Sequence, residues 1–313
     1  MVKVYVDGQA GTTGLKIFER LSARSDVTIM RIPDEKRKDA AARSEMLNSA
    51  DVVFLCLPDD AAREAVSMIR SGSVRVIDAS TAHRTNPDFD YGFPELSTER
   101  RANIIGSKRV AVPGCHASGF ISLVYPLTAS GALDKSERLS AHSITGYSGG
   151  GRKMIEEYEN PQRDKAYSGT RIYSLGLSHK HLPEMAYVTG LLNPPIFDPI
   201  LGDYYEGMLV SVPLSSGQLG GRSAEQIHEI YAKHYEGSRF VKVMPLGEIP
   251  DGGRLDPQAL NGTNEMQIFV FANGDDMLLV SRFDNLGKGA SGAAVQCFNL
   301  MTGAKEDEGL TIC

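Results

Sequence analysis

The sequence predicts an α/β chain of two domains, a doubly wound parallel sheet followed by an α+β domain with a largely antiparallel sheet. Three observations predict it. Short β-branched runs alternate with segments of helical period from the first residue onward. A glycine-rich turn, DGQAGTTG at 7–14, joins the first run to the first helical segment. After Gly114 the apolar runs change from continuous to alternating, as in strands with one covered face.

Residues 2–6, VKVYV, predict the first strand. Leu15, Phe18 and Leu21 recur at helical spacing up to Ala23. Residues 27–32 predict a second strand, stopped by Pro33, and 39–48 a helix. The apolar run 51–57 ends at Pro58 and reads as a buried parallel strand. A helix over 60–71 and strands over 74–79 and 109–112 complete the first sheet. In the second domain, MLVSVPL at 208–214 alternates, and MQIFVFA at 266–272 pairs with 277–284 across the Asn273–Gly274 turn. Residues 290–301 predict a last helix that returns to the first domain. The expected division is 1–114 plus 285–313, and 115–284.

The 313 residues suffice for two domains of roughly 100–200 residues each. A net charge of −6, from 33 basic and 39 acidic residues, gives no footprint for nucleic acid or an anionic membrane. No apolar run approaches the ~18 residues of a membrane span, and the first residues carry no signal-peptide pattern. Cys56, Cys115, Cys297 and Cys313 lie far apart, without a CxxC pair or a metal-ligand spacing. That is cytosolic usage, and no metal site is expected. Cys56 and Cys297 read as small buried hydrophobes.

Gly8, Gly11 and Gly14 form GxxGxxG between a strand and a helix. In that context the motif predicts a Rossmann-type dinucleotide site: the backbone approaches a pyrophosphate, and the helix N-terminus offers N–H donors. Thr12 and Thr13 add hydroxyl donors. The tip of the second strand lacks the acid that holds an NAD ribose, although Asp34 and Glu35 follow soon after. Arg31, Lys36 and Arg37, the last two in the EKRK run at 35–38, instead suit a 2′-phosphate, favouring NADP.

Pro113-Gly114-Cys115 follows a strand and opens an apolar helical pattern, so Cys115 is expected at a helix N-terminus. The helix dipole and open N–H groups favour a thiolate there and steady an oxyanion on an attacked carbonyl. SHKHLPE at 178–184 supplies histidines for acid–base work beside a cysteine nucleophile, with Glu184 to orient one of them. Ser148–Lys153, SGGGRK, is a glycine loop leading to two cations, with Arg152 as a planar fork for an anion.

These motifs, together with DASTAHR at 78–84, YGFPEL at 91–96 and NLGKGASG at 285–292, resemble the N-acetyl-gamma-glutamyl-phosphate reductases, in the shorter of their two sequence types. The resemblance covers essentially the whole chain. It implies NADPH-dependent reduction of N-acetyl-glutamyl 5-phosphate to the semialdehyde in arginine biosynthesis, in the cytoplasm, by a homo-oligomer and most commonly a tetramer. Cys115 would be the nucleophile and His181 the acid–base residue. His179, Arg152, Ser80 and Glu184 would contact the substrate or its phosphate. Asn285, Gly287 and Lys288 would lie near the nicotinamide. One departure is His116-Ala117-Ser118 after PGC, where many relatives carry an aromatic residue and a threonine. The alternatives are an aspartate-semialdehyde dehydrogenase and a non-catalytic NADP sensor. HKHLPE favours the acetylglutamyl branch, and retention of Cys115, His181 and Arg152 speaks against a pure sensor.

Overall fold

In the computed structural model, residues 1–313 are described except Lys38 and Asp251; Lys38 of the EKRK run and the Asp34 side chain therefore lie outside the described residues. The chain forms two compact units, residues 1–113 with 290–310, and residues 114–289 with 311–313.

In the first unit the strands are β1 (Val2–Asp7), β2 (Val27–Met30), β3 (Val52–Leu55), β4 (Arg75–Asp78), β5 (Asp90–Tyr91) and β6 (Arg109–Ala111). The helices are α1 (Thr12–Ser22), α2 (Ala40–Ser49), α3 (Asp59–Met68) and α4 (Thr98–Gly106). The strand order is β2-β1-β3-β4-β6-β5, and every pairing is parallel. The order reverses at β1, so the crevice for a ligand lies outside the carboxyl ends of β1 and β3. β3 is buried along its whole length, which explains its unbroken VVFL. α2 starts at Asp39, whose side chain accepts the Ala42 N–H, and α4 at Ser97, which accepts the Arg100 N–H.

In the second unit the helices are α5 (Cys115–Ala129), α6 (Gly151–Glu159), α7 (Leu182–Thr189) and α8 (Ala224–His234). The strands are β7 (Ser140–Thr145), β8 (Arg171–Ile172), β9 (Ile196–Leu201), β10 (Met208–Ser215), β11 (Val241–Val243), β12 (Met266–Asn273) and β13 (Asp276–Phe283). Their order is β11-β12-β13-β10-β7-β9-β8. The sheet is mixed. The β10–β13, β10–β7, β12–β13 and β8–β9 pairs are antiparallel, and β11–β12 and β7–β9 are parallel. The β12–β13 hairpin turns at Gly274, which has φ +60°.

Residues 290–310 return to the first unit, and its final helix is α9 (Gly292–Thr302). Ala293, Ala294, Val295, Phe298 and Leu300 pack into a core with Val4, Val6, Phe54, Ile77 and Val110. Burying the Phe298 side chain alone contributes on the order of 2–3 kcal/mol. Asn285–Gly289, expected in the first domain, belong to the second unit. The Asn285 carboxamide accepts the Gly207 N–H at 2.8 Å and donates to Ser148 Oγ at 3.0 Å, so both of its bonds tie it there.

α5 sets the position of Cys115. Its sequence is apolar nearly all round, and the helix packs on β10, β13, α7 and α8. A glycine is required where it crosses the sheet. A Cβ at Gly119 would stand 2.4 Å from Val210 Cγ2 and 2.8 Å from Ser281 Oγ.

Candidate active site

Cys115 is the first residue of α5, with Gly114 as N-cap in extended conformation, and its side chain is half-buried. The N–H groups of the first turn are not used by intrahelical bonds, so they face anything bound at the sulfur. The turn before it is held from α7. Glu184 Oε1 accepts the Gly114 N–H at 2.8 Å, and both groups are buried. Glu184, expected to orient a histidine, thus also holds the backbone just before the nucleophile. Gly289 closes the other side, since a Cβ there would lie 3.0 Å from Cys115 Cβ.

His179 and His181 stand at the start of α7, their rings 4.8 Å apart and edge to face. His181 is 4% exposed. Both rings contact His116, the neighbour of Cys115, with centroids at 5.2 Å and 5.5 Å. Phe197 of β9 lies 5.2 Å from the His116 and His179 rings. His116 Nδ1 is 2.7 Å from Ser143 Oγ and its Nε2 2.7 Å from the Tyr173 hydroxyl. Burial, with smaller contributions from His179 and Lys180, pushes His116 down to about 3. Burial and Lys180 push His179 down to about 4. Both rings are therefore neutral near pH 7. Burial, and then the Cys115 charge, hold the Tyr173 phenol above its usual range, so it stays protonated. No group of three His, Cys, Asp or Glu among the described residues forms a metal site.

The other expected site residues have the following surroundings. Arg152, in α6, is exposed and bonds Glu156 at 2.7 Å. Ser80 belongs to the first unit, where its hydroxyl donates to Asp78 at 2.8 Å; His83 Nδ1 lies 2.6 Å from the same carboxylate oxygen. Lys288 is buried, its Nζ 5.6 Å over the Phe240 ring. Gly287 sits against the Thr263 carbonyl so closely that a Cβ would reach 2.0 Å from it. Burial, followed by Asp78 and Asp7, raises the Cys56 thiol, which leaves it inert. Cys297 is buried, with Sγ on the Gly92 carbonyl.

In the first unit, Gly8 has φ +87°, and a Cβ there would stand 2.2 Å from the Cys56 carbonyl oxygen. Only glycine fits this turn. Gly11 caps α1, and Thr12 and Thr13 open it, their N–H groups facing outward. Beside the turn is a cavity of about 290 Å³ lined by Asp7, Gly8, Gln9, Ile32, Arg37 and Arg43, with Leu57 and Ala61 on its apolar side. The set fits a dinucleotide: apolar walls for a flat base, a glycine turn for phosphates, and guanidinium groups for a further phosphate. Arg37 lines this cavity. Arg31 does not; its guanidinium lies 4.9 Å over the Phe18 ring. Arg43, which no sequence motif marks, lines it too and bonds Asp7 at 2.9 Å and Glu64 at 3.1 Å.

The semialdehyde dehydrogenase NAD-binding domain model matches residues 3–104, and the semialdehyde dehydrogenase dimerisation domain model matches residues 115–285. A protein of a Nostoc species named N-acetyl-gamma-glutamyl-phosphate reductase 2 is 47% identical over 318 residues, covering 98% of this chain and 99% of its own. A Trichormus variabilis protein named N-acetyl-gamma-glutamyl-phosphate reductase is 48% identical over the same shares. The chain belongs to the N-acetyl-gamma-glutamyl-phosphate reductase family of semialdehyde dehydrogenases. The aspartate semialdehyde dehydrogenase of Francisella tularensis shares the fold, with TM-score 0.71 at 16% identity over 96% of this chain and 100% of its own. That of Candida albicans, solved with NADP, gives 0.67 at 15% over 96% and 99%. Within the family, the nucleotide-binding model falls on the glycine turn, and the second model begins at Cys115. No helix among the described residues is long and apolar enough to cross a membrane.

Proposed function

We propose that the chain reduces N-acetyl-glutamyl 5-phosphate to N-acetyl-glutamate 5-semialdehyde with release of phosphate, in arginine biosynthesis, with Cys115 carrying the acyl group as a thioester. The observation that carries this reading is Cys115 at the first position of a buried helix, beside the His116, His179 and His181 cluster, in a chain whose near-full-length relatives bear that reductase name.

The Cys115 sulfur attacks the acyl carbon, and the C–O bond to phosphate breaks. The first-turn N–H groups of α5 steady the oxyanion of this step and of the later reduction. NADPH, when bound, supplies the hydride that reduces the thioester carbon. Gly8, Gly11, Thr12, Thr13 and Gly14 would hold its phosphates, and Arg37 and Arg43 would receive the 2′-phosphate. His181 gives a proton to the resulting oxyanion and takes it back as the aldehyde forms and Cys115 leaves as the thiolate. His179 and the Glu184-held Gly114 turn shape the acyl pocket. Covalent attachment divides one difficult reduction into two easier steps. A homo-oligomer in the cytoplasm accompanies this reading, supported by the dimerisation domain model over 115–285 and by four cysteines that form no disulfide. Sedimentation would report its size, with a tetramer expected.

The test follows NADPH formation from enzyme, NADP, phosphate and N-acetyl-glutamate semialdehyde, with aspartate semialdehyde in parallel. Phosphate-dependent activity with the acetylated aldehyde alone is expected. Activity with aspartate semialdehyde alone would keep the cysteine chemistry and overturn the substrate. NADP binding without turnover of either would favour a sensor.

A further inference from the structure

His116 bonds two side chains from distant parts of the second unit. Ser143 of β7 lies 2.7 Å from Nδ1, and the Tyr173 hydroxyl, just after β8, lies 2.7 Å from Nε2. A neutral imidazole has one N–H and one lone pair, so one nitrogen donates and the other accepts. Two polarities are conceivable, and the burial of Ser143 separates them.

In the first polarity Tyr173 donates to Nε2, and Nδ1–H donates to Ser143. The Ser143 hydroxyl proton then needs another acceptor. Ser143 is fully buried, and His116 is the partner of its side chain among the described residues. A buried donor left without an acceptor costs about 1–3 kcal/mol. In the second polarity the Ser143 hydroxyl donates to Nδ1, and Nε2–H donates to the Tyr173 oxygen. The phenol's own proton is then left to point away from His116. Tyr173 is only half-buried, and its hydroxyl bonds His116 among the described residues, which leaves that proton available to a bound group. The hydroxyl is held on the ring of His116, the residue next to Cys115, and the Tyr173 ring lies 6.0 Å from that of His179.

We propose that Ser143 and His116 lock the Tyr173 hydroxyl as a hydrogen-bond donor toward the acyl group carried on Cys115, which makes His116 a positioning residue for the reduction. The proposal rests on the thioester reading above. It assigns a use to His116, the residue at which the PGC motif departs from many relatives. A ring with two nitrogens passes polarity from a buried serine to a phenol, which phenylalanine at the same place cannot do.

The experiment is a double-mutant cycle on the full-length enzyme in the phosphate-dependent oxidation of N-acetyl-glutamate semialdehyde. Tyr173→Phe is expected to lower kcat about 10²-fold, the effect of losing one oxyanion donor. His116→Phe should lower it by a similar factor, with KM for NADP unchanged. The double variant should be no slower than the slower single one, because His116 acts through Tyr173. Ser143→Ala, which keeps the imidazole, should cost several-fold and nothing further in the Tyr173→Phe background. That pair decides the question even if His116→Phe fails to fold. Losses that multiply, or a Ser143→Ala variant as fast as wild type, would overturn the proposal. A wild-type enzyme without phosphate-dependent turnover would overturn the reductase reading as well, whereas an active wild type with multiplied losses would overturn this proposal alone.

Discussion

Glu184→Ala removes the carboxylate that holds the turn ahead of the nucleophile. Its oxygen accepts the Gly114 N–H at 2.8 Å, Glu184 is 2% exposed, and Gly114 is buried. Water has little access to replace it. A hydrogen bond to a charged group contributes about 1.5–3 kcal/mol, and a buried donor left without an acceptor costs about 1–3 kcal/mol. Taking about 2 kcal/mol for the lost bond and about 1 kcal/mol for the vacated volume gives about 3 kcal/mol. For a unit of this size, 1 kcal/mol moves Tm by about 2–4 °C, so a fall of about 6–12 °C is expected. Glu184→Gln keeps an acceptor oxygen in place and should lose about half as much. Differential scanning calorimetry of the three proteins measures this, and the iodoacetamide reaction rate of Cys115 reports whether the turn has moved. A Glu184→Ala protein that melts with wild type and alkylates at the same rate would refute the reasoning.

Other predictions concern the histidines and the glycine turn. His181→Asn should slow turnover about 10²–10⁴-fold, and an unchanged pH–rate profile would remove it from acid–base duty. Gly8→Ala forces a left-handed alanine against the Cys56 carbonyl and should cost about 2–4 kcal/mol and most NADP affinity, read by urea unfolding and cofactor titration. His116 sits at about 3 in the fold against about 6.5 in the open chain. Between those values the unfolded chain binds the extra proton, so stability is complete above about 6.5 and falls as pH drops toward 3. At pH 5 the loss is about 2 kcal/mol, with His179 acting in the same direction. Urea midpoints at pH 7 and pH 5 should differ less for His116→Phe than for wild type; equal differences would contradict this.

Much of the first sheet was legible because a parallel strand covered on both faces is a continuous apolar run, as in VVFL of β3. β7, SAHSIT, and β9, IFDPIL, were missed because polar residues or a proline interrupt their apolar pattern. They form one of the two parallel pairs in a sheet that is otherwise antiparallel, as expected. The two-residue β5 is too short to carry a period. Cys115 was legible because a strand, a Pro-Gly turn and an apolar helix meet at one residue. The bonds of His116 were not, since they reach 27 and 57 residues along the chain. The tip of β2 suggested Arg31 as a phosphate contact; its guanidinium lies on Phe18, and Arg43 of α2, whose role no local motif marks, lines the cavity.

The most direct test of the central claim mixes the enzyme with N-acetyl-glutamyl 5-phosphate in the absence of NADPH, quenches with acid, and maps the modified peptide by mass spectrometry. The account predicts one N-acetyl-glutamyl group on Cys115, released as aldehyde when NADPH is added before the quench, and no adduct on Cys115→Ser. An unmodified Cys115 in an enzyme that nonetheless reduces the substrate would contradict it.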